Sequence, residues 1–320
     1  MSAPEETAEN APCAATPPSS RDRSTHSRAE TRVVSPAAAL ALAGINLLWG
    51  GSLVAAKYAL TAFGPFTLTA MRFFPASLLL LAAARAGGHR LTVRRADWPA
   101  LFLLGSVSIA LTYGVFYIGA DRTSATDASL LFACEPILIA LFAGLFLRER
   151  LTLRQWNGLL LGVLGIWLIA GQALGNRIAL LALCFETAAS VLAKRLASAY
   201  PGLVIVSWQM LIGSSLLLPV AGWELAHRSA TLSWQALGGW LYLSLLCSAL
   251  CYGIWYHFLT RFPVSAMGVF ILLQPVVGPL YGRLFLGESL RPGSALGGAL
   301  VLLGIALTTL ARKPSSPVPP

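Results

Sequence analysis

Charged residues are scarce in this sequence. Asp, Glu, Lys and Arg make up 11% of its 320 residues, whereas 56% of the residues are hydrophobic. A soluble domain carries roughly a quarter charged residues, so this chain has too few of them to cover a globular surface. The composition therefore excludes an ordinary soluble enzyme and predicts a polytopic membrane protein.

Residue types that bind metals or cofactors are equally few. The four histidines and five cysteines form neither a His-x-x-x-His nor a Cys-x-x-Cys motif. The phosphate-binding pattern Gly-x-x-x-x-Gly-Lys-Ser/Thr is also absent from the sequence. We therefore expect no metal site, no cofactor and no catalytic residues, and we predict that the chain is not an enzyme.

Long apolar runs, by contrast, fill most of the chain. A membrane-spanning helix needs about 20 mostly apolar residues, and ten such stretches follow one another with short connections. We predict an all-α polytopic membrane protein with ten transmembrane helices. Residues 1–36, rich in Ser, Thr, Ala and Pro, are expected to form a disordered cytoplasmic tail, and 312–320 a second short tail. The predicted spans are 37–57, 66–86, 99–119, 126–147, 155–172, 178–199, 204–222, 236–258, 264–285 and 294–311.

The Lys and Arg residues are distributed unevenly between the connections. When the N-terminus is placed inside, 16 of the 23 basic residues fall in the inside segments. The positive-inside rule then predicts a cytoplasmic (inner) membrane protein with both termini in the cytoplasm. This distribution accounts for the net charge of +10, so no nucleic-acid partner is expected.

The chain also contains an internal repeat. Residues 100–168 align with 239–307 at a constant offset of 139 positions. Each half holds five predicted spans, and this odd number inverts the second half relative to the first in the membrane. Inverted repeats around a midplane site are typical of secondary transporters. The matched pairs of less common residues include Tyr113 with Tyr252, Tyr117 with Tyr256, Arg122 with Arg261, Pro136 with Pro275, Glu149 with Glu288, and Gly165 with Gly304.

Several short motifs resemble those of EamA-type transporters in the drug/metabolite transporter (DMT) superfamily. The resemblance covers residues 37–311 and implies two inverted five-helix repeats, 37–172 and 178–311, that export small metabolites. Gln274 departs from the family pattern, in which such repeats often carry an acid before the proline. The motifs are Leu48-Trp49-Gly50-Gly51-Ser52, Met71-Arg72-Phe73, Glu135-Pro136 before Leu147-Arg148-Glu149-Arg150-Leu151, and Gln274-Pro275 before Leu286-Gly287-Glu288-Ser289-Leu290.

Three charged residues lie well inside the predicted spans: Arg72, Glu135 and Glu186. With a helical rise of about 1.5 Å per residue, they lie roughly 9, 13 and 12 Å from the outer span ends and so share one layer near the midplane. Charges at this depth are costly and tend to mark transport pathways. We expect Arg72 to attract a carboxylate, and a glutamate to bind an ammonium group or exchange a proton. The alternative is an Arg72–glutamate pair that only locks helices together.

Polar and aromatic side chains supply further candidates for substrate binding. Asn46, Trp49 and Gln274 lie deep in their spans, and Tyr113 and Tyr252 occupy equivalent positions in the two repeats. We predict that these five residues line the site together with the three charged ones.

Aromatic residues near span ends and prolines within spans receive a different interpretation. Tyr117 and Trp255 are interpreted as anchors at the membrane interface, where aromatic residues are enriched. Pro136 and Pro275 each remove a backbone hydrogen bond and are predicted to be hinges, with a static kink as the alternative.

We predict a secondary transporter that exports small metabolites, with amino acids or related zwitterions as the leading class, by alternating access around a midplane site. Its expected partners are a small-molecule solute and the lipid bilayer, and proton coupling remains open. One alternative is a proton-coupled cationic drug antiporter that uses Glu135 and Glu186; another is a non-transporting sensor or scaffold whose output is the N-terminal tail.

The Gly-x-x-x-Gly spacings Gly158/Gly162 and Gly293/Gly297 favour close packing within the chain, with a homodimer contact as the alternative.

Overall fold

A computed structural model describes most of the apolar part of the chain. The described residues are 35–132, 134, 135, 137, 138, 153–171, 173–197, 199–228, 231–259, 261, 262, 267 and 270–310. Throughout these ranges the regular structure is helical and contains no strand, which confirms the predicted all-α class. Residues 1–34 and 311–320, which contain most of the two predicted tails, and Pro136 and Glu149 lie outside the described residues.

The helical segments follow one another in the predicted order. Five of them, α1, α2, α3, α7 and α8, are 22 to 27 residues long and apolar enough to cross a membrane, so the protein is a multi-pass membrane protein. The total of ten spans stays a prediction. The segments are α1 (Pro36–Leu60), α2 (Pro65–Ala86), α3 (Arg95–Asp121), α4 (Ala125–Phe132), α5 (Leu153–Ala170), α6 (Leu174–Ala197), α7 (Gly202–His227), α8 (Trp234–Phe258), α9 (Gln274–Leu286) and α10 (Pro292–Leu310).

Local sequence explains where several helices begin. Pro36, Pro65 and Pro275 lie in the first turns of α1, α2 and α9, where a proline loses no hydrogen bond because the first helical N–H groups have no partner. The hydroxyl of Ser35 also caps α1, since its Oγ accepts a hydrogen bond from the backbone N–H of Ala38 at 3.3 Å.

Three of the long helices are irregular near their centres. A turn at Gly51 divides α1 into Pro36–Gly50 and Ser52–Leu60. The middle of α3, Ser106–Leu111, and the middle of α8, Tyr242–Leu250, are π-helical. The offset of 139 places residues 106–111 on 245–250, so both repeats carry this irregularity at the same position. Such π-helical stretches are frequent at functional sites.

Glycines bring α5 and α10 into close backbone contact. A Cβ added to Gly165 would lie 2.5 Å from the carbonyl oxygen of Gly297, and one added to Gly304 would lie 2.5 Å from that of Gly158. The repeat offset equates Gly158 with Gly297 and Gly165 with Gly304. The helices therefore make the same contact twice, as an internal twofold axis requires, and these glycines serve packing within the chain.

At one end of the bundle, two glutamates form hydrogen bonds that connect the two repeats. The Glu288 carboxylate, just after α9, accepts hydrogen bonds from the backbone N–H groups of Ala125 (2.7 Å) and Thr126 (2.8 Å) at the start of α4. The Glu224 carboxylate on α7 likewise accepts from the N–H of Thr67 (2.7 Å) in the first turn of α2. Carboxylates are favourable at helix N-termini, so each acid of the second repeat caps a helix of the first. We call this the Glu288 end.

The opposite end is where α3 and α7 begin. Here the Tyr200 hydroxyl donates a hydrogen bond to Asp97, which also pairs with Arg94 at 3.1 Å. We call this the Tyr200 end, and the candidate site lies between the two ends.

Candidate functional site

A cavity of about 220 Å³ lies between the helices of both repeats. Its walls come from α1, α2, α3, α4, α6, α8 and α9, so the three charged residues predicted to share one layer meet in one space. Seven of the eight residues predicted to bind substrate line it: Trp49, Arg72, Tyr113, Glu135, Glu186, Tyr252 and Gln274.

Arg72 is buried, with 5% of its surface exposed, and neutral groups hold its guanidinium. Its Nε donates a hydrogen bond to Ser248 Oγ at 2.9 Å, and its Nη1 donates to the Tyr117 hydroxyl at 2.6 Å. The guanidinium carbon lies 4.7 Å from the ring centre of Phe73 and 5.1 Å from that of Tyr113. These contacts fix the orientation of the cation without neutralising its charge.

The ion pairs of the bundle lie away from Arg72. Among the residues that the structure describes, they join Arg94 to Asp97 and Arg291 to Asp127, so no carboxylate lies within 4.0 Å of Arg72 there. The alternative of an Arg72–glutamate pair that only locks the helices is therefore not the arrangement found. A buried cation without a counter-ion is costly, and an anionic solute would relieve that cost.

Both predicted acids share the cavity with this cation. Glu135 follows α4 and Glu186 lies in the middle of α6, and each contributes to the cavity wall. One wall of the cavity is thus cationic, and other parts carry carboxyl groups. This combination suits a solute that carries both charges.

Aromatic rings form much of the remaining wall. The ring centre of Trp49 lies 5.4 Å from that of Tyr252 and 5.7 Å from that of Trp255. The hydroxyls of Tyr113 and Tyr252 lie 3.5 Å apart, and these two residues are equivalent under the repeat. Equivalent atoms meet only at a twofold axis, so the internal axis passes beside the cavity.

The interpretation of Tyr117 and Trp255 as interface anchors was wrong. Tyr117 is 1% exposed and bonded to Arg72, and Trp255 lines the cavity. Distance from a span end says nothing about which face of the helix a residue occupies. The spacing of Tyr117 one turn from Tyr113 was the signal for the inner face, because residues four apart lie on the same side of a helix.

Asn46 lies behind the cavity wall rather than in it. It is fully buried, its Nδ2 donates to the carbonyl oxygen of Leu42 at 2.8 Å, and its Oδ1 accepts from Nε2 of Gln274 at 2.8 Å. The contact orients the Gln274 side chain, which does line the cavity. Asn46 therefore contacts a residue of the cavity wall, Gln274, but does not line the cavity itself.

Of the two predicted hinge prolines, Pro275 lies within the described residues and Pro136 does not. Pro275 occupies the first turn of α9 after a turn at 272–273, so the ninth predicted span is interrupted beside the cavity instead of bending as one continuous helix. Pro136 lies outside the described residues. The hinge role of both residues stays a prediction.

Ser248 is a site residue that the sequence did not reveal. It is fully buried in the π-helical part of α8 and accepts the hydrogen bond from Arg72. The same stretch provides the carbonyl oxygen of Cys247, which accepts from Nε1 of Trp49 at 2.8 Å. A serine in an apolar run gives no sign of such a contact, because its partner lies on a distant helix.

Comparisons with known proteins show the same division of the chain into two repeats. A model of the EamA-like transporter family matches residues 36–171 and 173–310. An uncharacterized transporter from Archaeoglobus fulgidus is 27% identical over 268 residues, covering 82% of this chain and 95% of the relative. A probable terminal-alkyne amino-acid exporter from Streptantibioticus cattleyicolor is 30% identical over 280 residues, covering 85% and 94%. A solved crystal structure shares the fold with a TM-score of 0.62 at 22% identity, over 86% of this chain and 96% of that one.

Proposed function

Because the chain belongs to the EamA-like transporter family, we propose that this membrane transporter exports small zwitterions, foremost amino acids, through the cavity around Arg72. The observation that carries the proposal is a buried guanidinium with no carboxylate partner among the described residues, in a cavity that Glu135 and Glu186 also line. A carboxylate binds an arginine through two parallel hydrogen bonds, and a glutamate binds an ammonium group. The name of the Streptantibioticus relative, an amino-acid exporter, supports the same class.

The mechanism we propose is alternating access by relative movement of the two repeats. Contacts between the repeats at the Glu288 end support a state closed on that side. They include the two glutamate caps and the Tyr58 hydroxyl, which donates to the carbonyl oxygen of Phe285 at 2.7 Å. The uneven distribution of Lys and Arg favours the Glu288 end as the outer one. Solute would then enter from the cytoplasm, and opening towards the outside would break these contacts.

The direct test is a counterflow assay in proteoliposomes with labelled amino acids and labelled organic cations. Arg72→Gln removes the cation, and Arg85→Gln is the matched control, because Arg85 is exposed on the same helix and away from the cavity. We expect wild-type and Arg85→Gln proteins to exchange amino acids and the Arg72→Gln protein to lose that exchange. Exchange of amino acids by Arg72→Gln at the wild-type rate would refute the assignment of Arg72.

A proton-coupled antiporter of organic cations is the second candidate. It is favoured by the two carboxyl groups and by the rings of Trp49 and Trp255 in the cavity, since aromatic faces attract cations. In that case organic cations, and not amino acids, would exchange. A pH gradient would drive the flux of these cations in the wild-type protein, and Glu135→Gln or Glu186→Gln would abolish that flux. If neither class of solute exchanges, both transport proposals are wrong.

A further inference from the structure

An apolar groove runs along the face of α1 that points away from the cavity. On α1 the cavity is lined by Trp49, Gly50, Ser52 and Leu53, whereas the groove is lined by Gly51, Val54, Ala55 and Tyr58. At 100° per residue these two sets lie on opposite sides of the helix. The groove has a volume of about 570 Å³, and α8 and α9 form its other walls. We call it the α1 groove.

Glycines on α8 create the floor of this groove. A Cβ added to Gly239 would lie 2.4 Å from the carbonyl oxygen of Ala55, so α8 touches the backbone of α1 there. A Cβ added to the neighbouring Gly238 would meet nothing within 4 Å. The two helices are therefore in contact at the bottom of the groove, and the space above Gly238 is open.

Two of the three tyrosine hydroxyls in the groove walls form hydrogen bonds within the protein. The Tyr242 hydroxyl donates to the carbonyl oxygen of Leu48 at 2.7 Å, and the Tyr58 hydroxyl donates to that of Phe285 at 2.7 Å. The lining includes no charged side chain. Its remaining polar groups are the Tyr281 hydroxyl and the amide of Gln235, which lies one residue into α8 at the Glu288 end. The groove thus offers hydrocarbon and ring surfaces along its length and an amide at its end.

The position of the groove in the membrane determines what can fill it. Gly51 and Tyr58 are seven residues apart, roughly 10 Å along α1, which lies within one leaflet of a hydrocarbon core about 30 Å thick. Its walls α1 and α8 are both long and apolar enough to span that core. An empty apolar space forfeits the dispersion contacts of its lining, and at this depth lipid tails supply the missing atoms.

We propose that the α1 groove is a binding site for one acyl chain of a membrane phospholipid, with the headgroup next to Gln235. A chain in this site would pack against the stretch of α1 that is divided at Gly51. The other face of that stretch carries Trp49 into the cavity, so the lipid supports the wall of the transport site from outside.

A photoactivatable lipid tests the proposal directly. The protein is reconstituted in vesicles of phosphatidylcholine that carry a diazirine in one acyl chain, irradiated and mapped by peptide mass spectrometry. Gly238→Phe fills the groove with a ring. Gly222→Phe is the matched control, because its Cβ also meets nothing within 4 Å and it lies on α7 outside the groove. Labelling of the exposed face of α5 around Leu160 and Trp167 reports the general contact with lipid.

We expect labelling of the Gly51–Tyr58 stretch to exceed that of the α5 face in the wild-type and Gly222→Phe proteins, and to fall to the α5 level in Gly238→Phe. Labelling that is no stronger than on α5, or that persists in Gly238→Phe, overturns the proposal. Labelling of this stretch that rises when the protein is diluted in the vesicles, as expected if a second copy of the chain covers the groove, would also overturn it. If Gly238→Phe fails to fold, Gly238→Leu provides the smaller obstruction, and lipid retained by the wild-type protein after detergent washing provides a second measure.

Discussion

Arg72 is a buried cation whose hydrogen-bond partners are neutral, and this makes its orientation depend on two hydroxyls. Tyr117 belongs to the same repeat as Arg72, but Ser248 belongs to the other repeat. The guanidinium therefore joins the two halves of the molecule at the point where a carboxylate would bind. In the proposed transport site Ser248 would be a positioning residue, because it contacts Arg72 and would act on a solute through it.

Replacing Ser248 with alanine should weaken the binding of amino acids more than it slows their transport. A hydrogen bond to a charged group contributes about 1.5–3 kcal/mol, so the half-saturating concentration should rise about tenfold or more. The measurement is the concentration dependence of counterflow. Ser248→Thr keeps the hydroxyl and should restore most of the affinity.

The control for this experiment is Ser214→Ala on α7. Ser214 is also fully buried, but its hydroxyl donates to the carbonyl oxygen of Met210 in its own helix. If Ser248→Ala and Ser214→Ala change the half-saturating concentration equally, Ser248 has only a structural role.

The residues of the site were not equally predictable from the sequence. Arg72, Glu135 and Glu186 could be found because a charge in a hydrocarbon environment is rare and needs a reason. The spacing of Tyr117 from Tyr113 indicated its inner face, but the roles of Tyr117 and Ser248 at Arg72 could not be assigned, since small polar and aromatic residues occur in membrane helices for many reasons. What distinguishes these two is a contact with Arg72, and such contacts depend on how distant helices pack.

At the level of the helix, the irregular centres of α1, α3 and α8 build the site. The π-helical stretch of α8 supplies both the Ser248 hydroxyl and the carbonyl oxygen of Cys247. The sequence predicted a uniform helix here, because a run that is apolar on all sides carries no mark of the change in hydrogen bonding. The limits of the five long helices were predicted closely, as in α1, predicted at 37–57 and found at Pro36–Leu60. The ninth predicted span, 264–285, is instead interrupted before α9 begins at Gln274.

The contact between α5 and α10 predicts a large difference between two similar substitutions. Gly165→Ala would place a methyl group 2.5 Å from the carbonyl oxygen of Gly297 and 3.0 Å from the backbone nitrogen of Val301. Because these two atoms belong to the backbone and cannot rotate away, the helices must separate. Overpacking of this kind costs about 1–3 kcal/mol, so the midpoint of thermal unfolding in detergent should fall. Gly222→Ala, whose Cβ meets nothing within 4 Å, should leave the midpoint unchanged or raise it. Equal midpoints for the two variants would contradict the close contact.

For the molecule as a whole, the internal repeat was the most informative sequence feature. The offset of 139 predicted which residues are equivalent, and the structure shows where equivalent residues meet, as Tyr113 and Tyr252 do. Equivalence could be obtained from the sequence because it is a matter of spacing. Proximity could not, because the position of the axis depends on how the two halves pack.

Deletion of residues 1–30 distinguishes a carrier from a sensor. These residues precede the first described helix, which begins at Pro36, and contribute nothing to the described cavity wall, so we expect the shortened protein to retain counterflow at the wild-type rate. The measurement is the initial rate at equal amounts of reconstituted protein. Loss of counterflow after this deletion, with normal insertion into the vesicles, would favour a role for the tail in the activity itself.

The predicted orientation can be tested with single cysteines in a cysteine-free protein. Thr231→Cys lies in the connection between α7 and α8, and His89→Cys lies in that between α2 and α3. In intact cells a membrane-impermeant maleimide should label the first and should reach the second only after the membrane is permeabilised. The opposite pattern would place both termini outside.

The Arg72 contact also predicts that the two repeats have unequal roles in the proposed transport cycle. The repeat offset pairs Tyr117 with Tyr256, but it pairs Ser248 with Ile109, so the first repeat has no copy of the Ser248 hydroxyl. Exchanging the conformations of the two halves therefore does not regenerate the same binding site, and the solute should meet a different affinity on each side of the membrane. Such a carrier behaves like an electrical rectifier: the gradients still set the equilibrium, but at equal driving force the two directions of flow saturate at different solute concentrations.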